Sequence, residues 1–237
     1  MRYLFLFFLF LTFATAKGQM TYELSAGKEL GIIGTAVGLS SFSAYFNARN
    51  DIITLNEIKA LDANQVWKFD RWVTKQYNLK ARKSSDIALF SSFLLPLTTL
   101  ANENGKAEFG KVSLMTLQTI LLNSSITNIV KVTAKRPRPY LYNQDVALQL
   151  KLRKADRYSF FSGHTSTTAA MSFLTAQMHT DFNDGKGNVA IWSIAAAIPT
   201  FTAIQRMRAG KHFLSDVLLG YLIGASVGIL VPRIHRL

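Results

Sequence analysis

Apolar residues in this chain gather into blocks of a length that a bilayer demands and a soluble core does not. Residues 30–46, 87–101, 112–130, 189–204 and 213–231 are such blocks, and 165–178 reads as a further helix rich in small residues. A segment that crosses lipid must satisfy its own backbone groups, so blocks of this kind predict helices. Of the 237 residues, 49% are hydrophobic and only 17% are charged, against roughly 25% charged in an average soluble domain. The expected fold is all-α: a polytopic membrane helical bundle of five to six spanning helices, built as one domain.

Residues 1–19 read as a signal peptide. Arg2 precedes an apolar run, residues 4–13, and the small residues Ala14 and Ala16 follow. Cleavage is expected after Ala16 or near Gln19, with an uncleaved anchor as the alternative. Residues 20–85 are expected to hold an N-terminal helix and an interfacial amphipathic region. Gly34 and Gly38 stand four apart there, a spacing that lets helices pack closely in a bilayer. Trp67, Trp72 and Tyr77 are interleaved with Lys and Arg, which suits the membrane–water boundary. Residues 86–232 are expected to form the catalytic domain. Gly220, Gly224 and Gly228 recur every fourth residue in its last block and predict a close-packing face.

The formal net charge of +13 favours anionic partners. Many of the basic residues lie between apolar blocks, which points to lipid phosphates and membrane lipids rather than nucleic acid. The absence of cysteine excludes disulfides and thiol–metal sites. Oligomeric state is not legible.

Polar residues recur at helix ends in three places. Lys131 closes one block and Arg138-Pro139 follows; Ser162-Gly163-His164 opens the next helix; Arg206 ends a block, and His212 begins the last one with Asp216 four residues on. Four residues on a helix put His212 and Asp216 on one face, within reach of each other. A phosphate ester bound without a metal needs fixed cations. Arginine donates two parallel hydrogen bonds to it, and lysine adds a point charge. A serine hydroxyl and the N–H groups at a helix start also point at an anion. An imidazole attacks in line if its other nitrogen is held, and a second acid protonates the leaving group. His212, Asp216 and His164 fit those tasks. No cofactor and no metal is expected, since no acidic cluster suited to Mg²⁺ lies near these positions. The outlying Arg136, Arg153, Lys154, Arg157, Arg208 and Lys211 read mostly as a solvated rim, and Tyr140 and Tyr158 as interfacial aromatics.

The three motifs together resemble the type-2 phosphatidic acid phosphatase and vanadium haloperoxidase superfamily. Its pattern is Lys-x6-Arg-Pro, then Pro-Ser-Gly-His, then Ser-Arg-x5-His-x3-Asp. Here it runs Lys131 to Pro139, Phe161 to His164, and Gln205-Arg206 to His212 and Asp216, in that order. Phe161 stands where the pattern has proline and Gln205 where it has serine. The resemblance implies that Lys131, Arg138 and Arg206 bind phosphate, helped by Ser162 and Gly163. It implies His164 as the acid, His212 as the nucleophile and Asp216 as its orienting partner. The implied activity is hydrolysis of a lipid phosphate or pyrophosphate: a prenyl pyrophosphate, a phosphatidate-like or a lipid A-like substrate. The alternatives are a vanadate-dependent haloperoxidase-like enzyme and a non-catalytic protein that binds lipid head groups. An export signal and this substrate class together place the site on the extracytoplasmic side of a bacterial-type inner membrane.

Overall fold

The computed structural model describes residues 20–237; the expected signal peptide lies outside the described residues. Six long helices carry the fold: α1 (Ala26–Arg49), α2 (Leu79–Ser92), α3 (Phe109–Ala134), α4 (Gly163–Asp181), α5 (Val189–Arg208) and α6 (Leu214–His235). Five of them sit on the apolar or small-residue blocks; α2 starts before the 87–101 block and ends inside it, and a 3-10 helix follows at Leu95–Ala101. Among the described residues there is no β-strand, only a single antiparallel bridge between Tyr22 and Arg236.

The central element is α4. It packs along α6 and against α5 and α3, while α1 lies on α3 and α2 on α5. The main apolar core joins Val112 and Met115 of α3, Met171, Leu174 and Met178 of α4, and Val227 and Val231 of α6. The α4–α6 approach is close because α6 offers glycines to it. A Cβ on Gly220 would stand 2.6 Å from the Ser162 carbonyl oxygen. One on Gly224 would collide with the Ser166 carbonyl, and one on Gly228 with that of Ala170. The Gly34/Gly38 expectation fails: nothing lies within 4 Å of a Cβ at either, so these glycines face open space on α1.

Two stretches are long and apolar enough to cross a membrane, Leu79–Ala101 and Leu214–His235. The other long helices do not meet that measure. For α4 the reason is its position. Its Ser and Thr residues, such as Ser166, Thr168 and Ser172, are buried by neighbouring helices, so small polar residues there do not have to face lipid.

The interfacial region departs from expectation. Residues 55–75 form short turns rather than amphipathic helices: Leu55–Lys59, Ala63–Gln65, Lys68–Arg71 and Trp72–Lys75. Side-chain caps keep restarting the chain. Thr54 accepts from Glu57 N–H while the Glu57 carboxylate accepts from Thr54 N–H, and Asp62 accepts from Asn64 N–H. Asn78 then accepts from Ala81 N–H and starts α2 inside the polar stretch. That early start brings Ser85 and Asp86 into a helix of the bundle.

Candidate active site

Three helix ends build the site. At the first, α3 stops because Lys135 turns left-handed (φ 48°). Arg136-Pro137-Arg138-Pro139 cannot resume the helix, since a residue before proline avoids the α region. Arg138 is accordingly extended (φ −73°, ψ 149°). Its backbone N–H donates to the Asp156 carbonyl at 3.0 Å, and its Nε to that of Ala155 at 2.9 Å. At the second end, Ser162 caps α4 and its hydroxyl accepts from Thr165 N–H. Gly163 sits against α3: a Cβ there would stand 3.2 Å from Thr127 Cγ2 and 3.6 Å from Lys131 Cε.

At the third end, α5 closes in a Schellman turn. Gly210 N–H donates to the Met207 carbonyl at 2.8 Å, and Lys211 N–H to that of Arg206 at 3.0 Å. Gly210 is left-handed (φ 65°), and any Cβ there would strike the Gln76 carbonyl, so glycine is required. This turn fixes Arg206 relative to Lys211 and His212. Phe213 then caps α6, its N–H donating to Asp216 Oδ2 at 2.8 Å.

His212 is 1% exposed. Its Nδ1 is 2.7 Å from the Ser159 carbonyl oxygen. A carbonyl only accepts, so Nδ1 carries the proton of this bond and Nε2 is left with its lone pair. Burial, and then the charges of Lys131, Arg138 and Arg206, push the imidazole well below the usual histidine range. It is therefore neutral at neutral pH. The charges of those three expected phosphate-binding cations are thus felt at the expected nucleophile. Arg206 is buried, and its Nε has no hydrogen-bond partner among the described residues, a donor suited to an anion. Lys131 Nζ donates to the Tyr158 carbonyl at 3.0 Å.

The expected direct Asp216–His212 hydrogen bond is not formed; Asp216 Oδ2 stands 3.9 Å from His212 Nδ1. His212 precedes α6 rather than belonging to its first turn, so the one-face argument does not apply. The Ser159 carbonyl is the nearer partner. Asp216 holds that arrangement instead: it accepts from the Ser159 hydroxyl and from the N–H of Phe213, the residue after His212.

Several contributors were not legible from the motifs. Asp86 of α2 lies 2.9 Å from His164 Nε2 and 3.4 Å from Arg206 Nη1. A lone acid at the edge of an apolar block was the available signal. Arg136 is not a rim residue. It bridges Asp216 at 2.5 Å and Asp70 at 2.8 Å and lies over the Phe213 ring. Asp70, fully buried, also accepts from Ser215 N–H at 2.9 Å. Lys211, likewise assigned to the rim, sits 4.0 Å over the Tyr140 ring. Burial, then the charges of Arg138 and Arg82, push its ammonium down to about 7. Tyr140 is buried and bonds Asp156, so it is not an interfacial aromatic; Tyr158 is half-buried and its hydroxyl donates to Asn47.

The chain is 27% identical over 49% of its length to a probable lipid phosphate phosphatase beta of Arabidopsis thaliana, covering 62% of that protein. It is 27% identical over 35% of its length to a lipid A 4'-phosphatase of Porphyromonas gingivalis, covering 32% of it. A PA-phosphatase related-family protein of Dictyostelium discoideum is 31% identical over 52% of the chain and covered to 48%. The chain thus spans between about a third and just under two thirds of the curated relatives it matches. A crystal structure of a transmembrane PAP2 type phosphatidylglycerolphosphate phosphatase from Bacillus subtilis is similar at a TM-score of 0.49 and 20% identity, over 84% of this chain and 94% of that one. Residues 113–237, more than half of the chain and including all three helix ends, match the family profile described as PAP2 superfamily. The chain belongs to the PAP2 superfamily.

Proposed function

We propose that the protein is an integral membrane phosphatase that hydrolyses a lipid phosphate or pyrophosphate through a phosphohistidine. The observation that carries this is a buried His212 whose Nδ1–H is tied to a carbonyl and whose imidazole is kept neutral by burial and by the charges of Lys131, Arg138 and Arg206. The substrate class is that of the relatives: lipid phosphates, with phosphatidate-like, lipid A-like and prenyl pyrophosphate head groups all compatible. Residues 86–232 are the catalytic unit, in a bundle of five to six spans, with the site on the extracytoplasmic side.

The three cations, with the Ser162 hydroxyl and the N–H groups at Gly163, hold the phosphoryl oxygens. His212 Nε2 attacks phosphorus in line, forming an N–P bond as the P–O bond to the lipid breaks. His164 gives its proton to the departing oxygen. Water then attacks phosphorus, giving a proton to His164, and inorganic phosphate leaves as the N–P bond breaks. Asp216 and Arg136 keep the Ser159 carbonyl and His212 in register.

The test is a covalent one. Acid-labile phosphate trapped on the protein during turnover of a radiolabelled lipid phosphate is expected to vanish in His212→Ala and to persist in His164→Ala. His212→Ala should also lose activity by on the order of 10³-fold or more. A trapped phosphate that depends on His164, or normal turnover by His212→Ala, overturns the assignment.

A further inference from the structure

Asp70 reaches the site from a part of the chain that the family profile does not cover. It stands in the short helix Lys68–Arg71, and the profile begins at residue 113. It is fully buried, and a carboxylate so placed is costly unless it is paired and hydrogen-bonded. Its partners surround the nucleophile. Oδ1 accepts from Ser215 N–H at 2.9 Å; Oδ2 accepts from the Ser215 hydroxyl and, at 2.8 Å, from Arg136 Nη2. Arg136 Nη1 donates in turn to Asp216 Oδ1. Asp216 Oδ2 accepts from the hydroxyl of Ser159, whose carbonyl takes the Nδ1 proton of His212. The contacts therefore run from Asp70 through Arg136, Asp216 and Ser159 to His212.

One task of Asp70 is plain. α6 begins after Phe213, whose side chain cannot accept a hydrogen bond, and Asp70 takes the Ser215 N–H of its first turn from outside. A cap needs an acceptor and not a charge, so serine or asparagine would serve as well. The charge has a different use. Attack by Nε2 makes the imidazole positive, because Nδ1 keeps its proton. Lys131, Arg138 and Arg206 bear on that ring and oppose the new charge. Asp216 alone gives no net relief, since Arg136 cancels it. With Asp70 included, two carboxylates and one guanidinium leave one net negative charge, and both carboxylates are fully buried. A fixed charge in such a poorly solvated place is felt at short range more strongly than in water. We infer that Asp70 is a positioning residue for the nucleophile: through Arg136 it holds Asp216 on Ser159 and supplies the net negative charge that offsets the imidazolium formed at His212. The inference rests on the phosphatase reading above. Asp70 takes no proton in the step; the N–P bond forms, the P–O bond breaks and the Nδ1 proton stays on His212.

Asp70→Asn separates the two tasks, because it keeps an acceptor for Ser215 N–H and removes the charge. The substrates are radiolabelled phosphatidic acid in detergent micelles and nitrophenyl phosphate. Attack by His212 is common to both, so kcat is expected to fall by about tenfold or more on each, with KM within about twofold. Phosphate should also be trapped on the protein more slowly. Asp70→Ser, a smaller residue that also caps, should lose as much and serves where the asparagine variant does not fold. The sharper reading comes from Arg136→Met. That change leaves two net negative charges, and removing Asp70 as well restores the count of one. The double variant Arg136→Met/Asp70→Asn is therefore expected to be no less active than Arg136→Met alone. Unchanged kcat in both Asp70 variants, with only a lower unfolding temperature in detergent, would reduce Asp70 to a cap and overturn the inference. So would losses that multiply in the double variant, or a raised KM with kcat intact. In each of those outcomes the phosphatase reading survives. If the unaltered protein hydrolyses neither substrate, that reading fails and the inference falls with it.

Discussion

Two side chains outside the motif residues bear on the proposed proton transfers. Asp86 faces His164 Nε2 at 2.9 Å, so the histidine proposed as the acid has a carboxylate partner supplied from α2. If His164 protonates the leaving oxygen, disturbing that partner should matter only when the leaving group needs a proton. Asp86→Asn is expected to lower kcat on a lipid monophosphate by about tenfold or more while sparing nitrophenyl phosphate. Equal losses on both substrates would assign Asp86 to binding instead. Lys211 makes a second case. With its ammonium pushed down to about 7 by burial and by Arg138 and Arg82, it is only partly protonated at neutral pH in the free protein. A bound oxyanion favours the charged form, so binding draws a proton in. Vanadate titrated calorimetrically near pH 7, in buffers of different ionisation enthalpy, is expected to show net proton uptake. The uptake should fade as pH drops well below 7, where Lys211 is already charged, and should disappear in Lys211→Met.

At the scale of helices, much was legible because the signals are local. Block length and composition located five of the six long helices, while the 87–101 block caught only the end of α2, and the small residues of the last block marked the α4–α6 contact. The same spacing misled at Gly34 and Gly38, because a glycine pair says that close approach is allowed, not that a partner is there. Their environments make opposite predictions. Gly228→Val forces a side chain into the Ala170 carbonyl and is expected to destabilise the protein by about 1–3 kcal/mol. Gly38→Ala meets nothing and is expected to leave stability unchanged or raise it by up to about 1 kcal/mol. Gly220 differs again, because the carbonyl it abuts belongs to Ser162, the cap of α4. Gly220→Ala should lower kcat/KM even where thermal unfolding in detergent shows the protein folded. Gly228→Ala, about two helical turns further from the cap, should affect unfolding alone.

Across the whole molecule, legibility ended where contacts became long-range. Lys131, Arg138, Ser162, His164, Arg206 and His212 belong to motifs and could be read in order along the chain. Asp86 meets His164 across 78 positions, and Asp70 meets Ser215 across 145; no local pattern encodes such pairs. Arg136 was misread for the same reason, since both its carboxylates come from other elements. Sidedness is also a whole-molecule property, and the positive-inside rule does not decide it here because the loops that carry the motifs are themselves basic. The chain has no cysteine, which makes the question directly measurable. Gln144 is exposed, in the loop between α3 and α4 that carries the first two motifs. Gln144→Cys introduces a single thiol at the site end of the bundle. With an extracytoplasmic site, an impermeant thiol reagent should label this variant while the inner membrane is intact. A second cysteine at Lys186, in the turn between α4 and α5 at the opposite end, should be labelled only after that membrane is broken. The reverse pattern would place the site in the cytoplasm, and labelling of both in intact cells would mean that the two loops share one side and that α4 does not span.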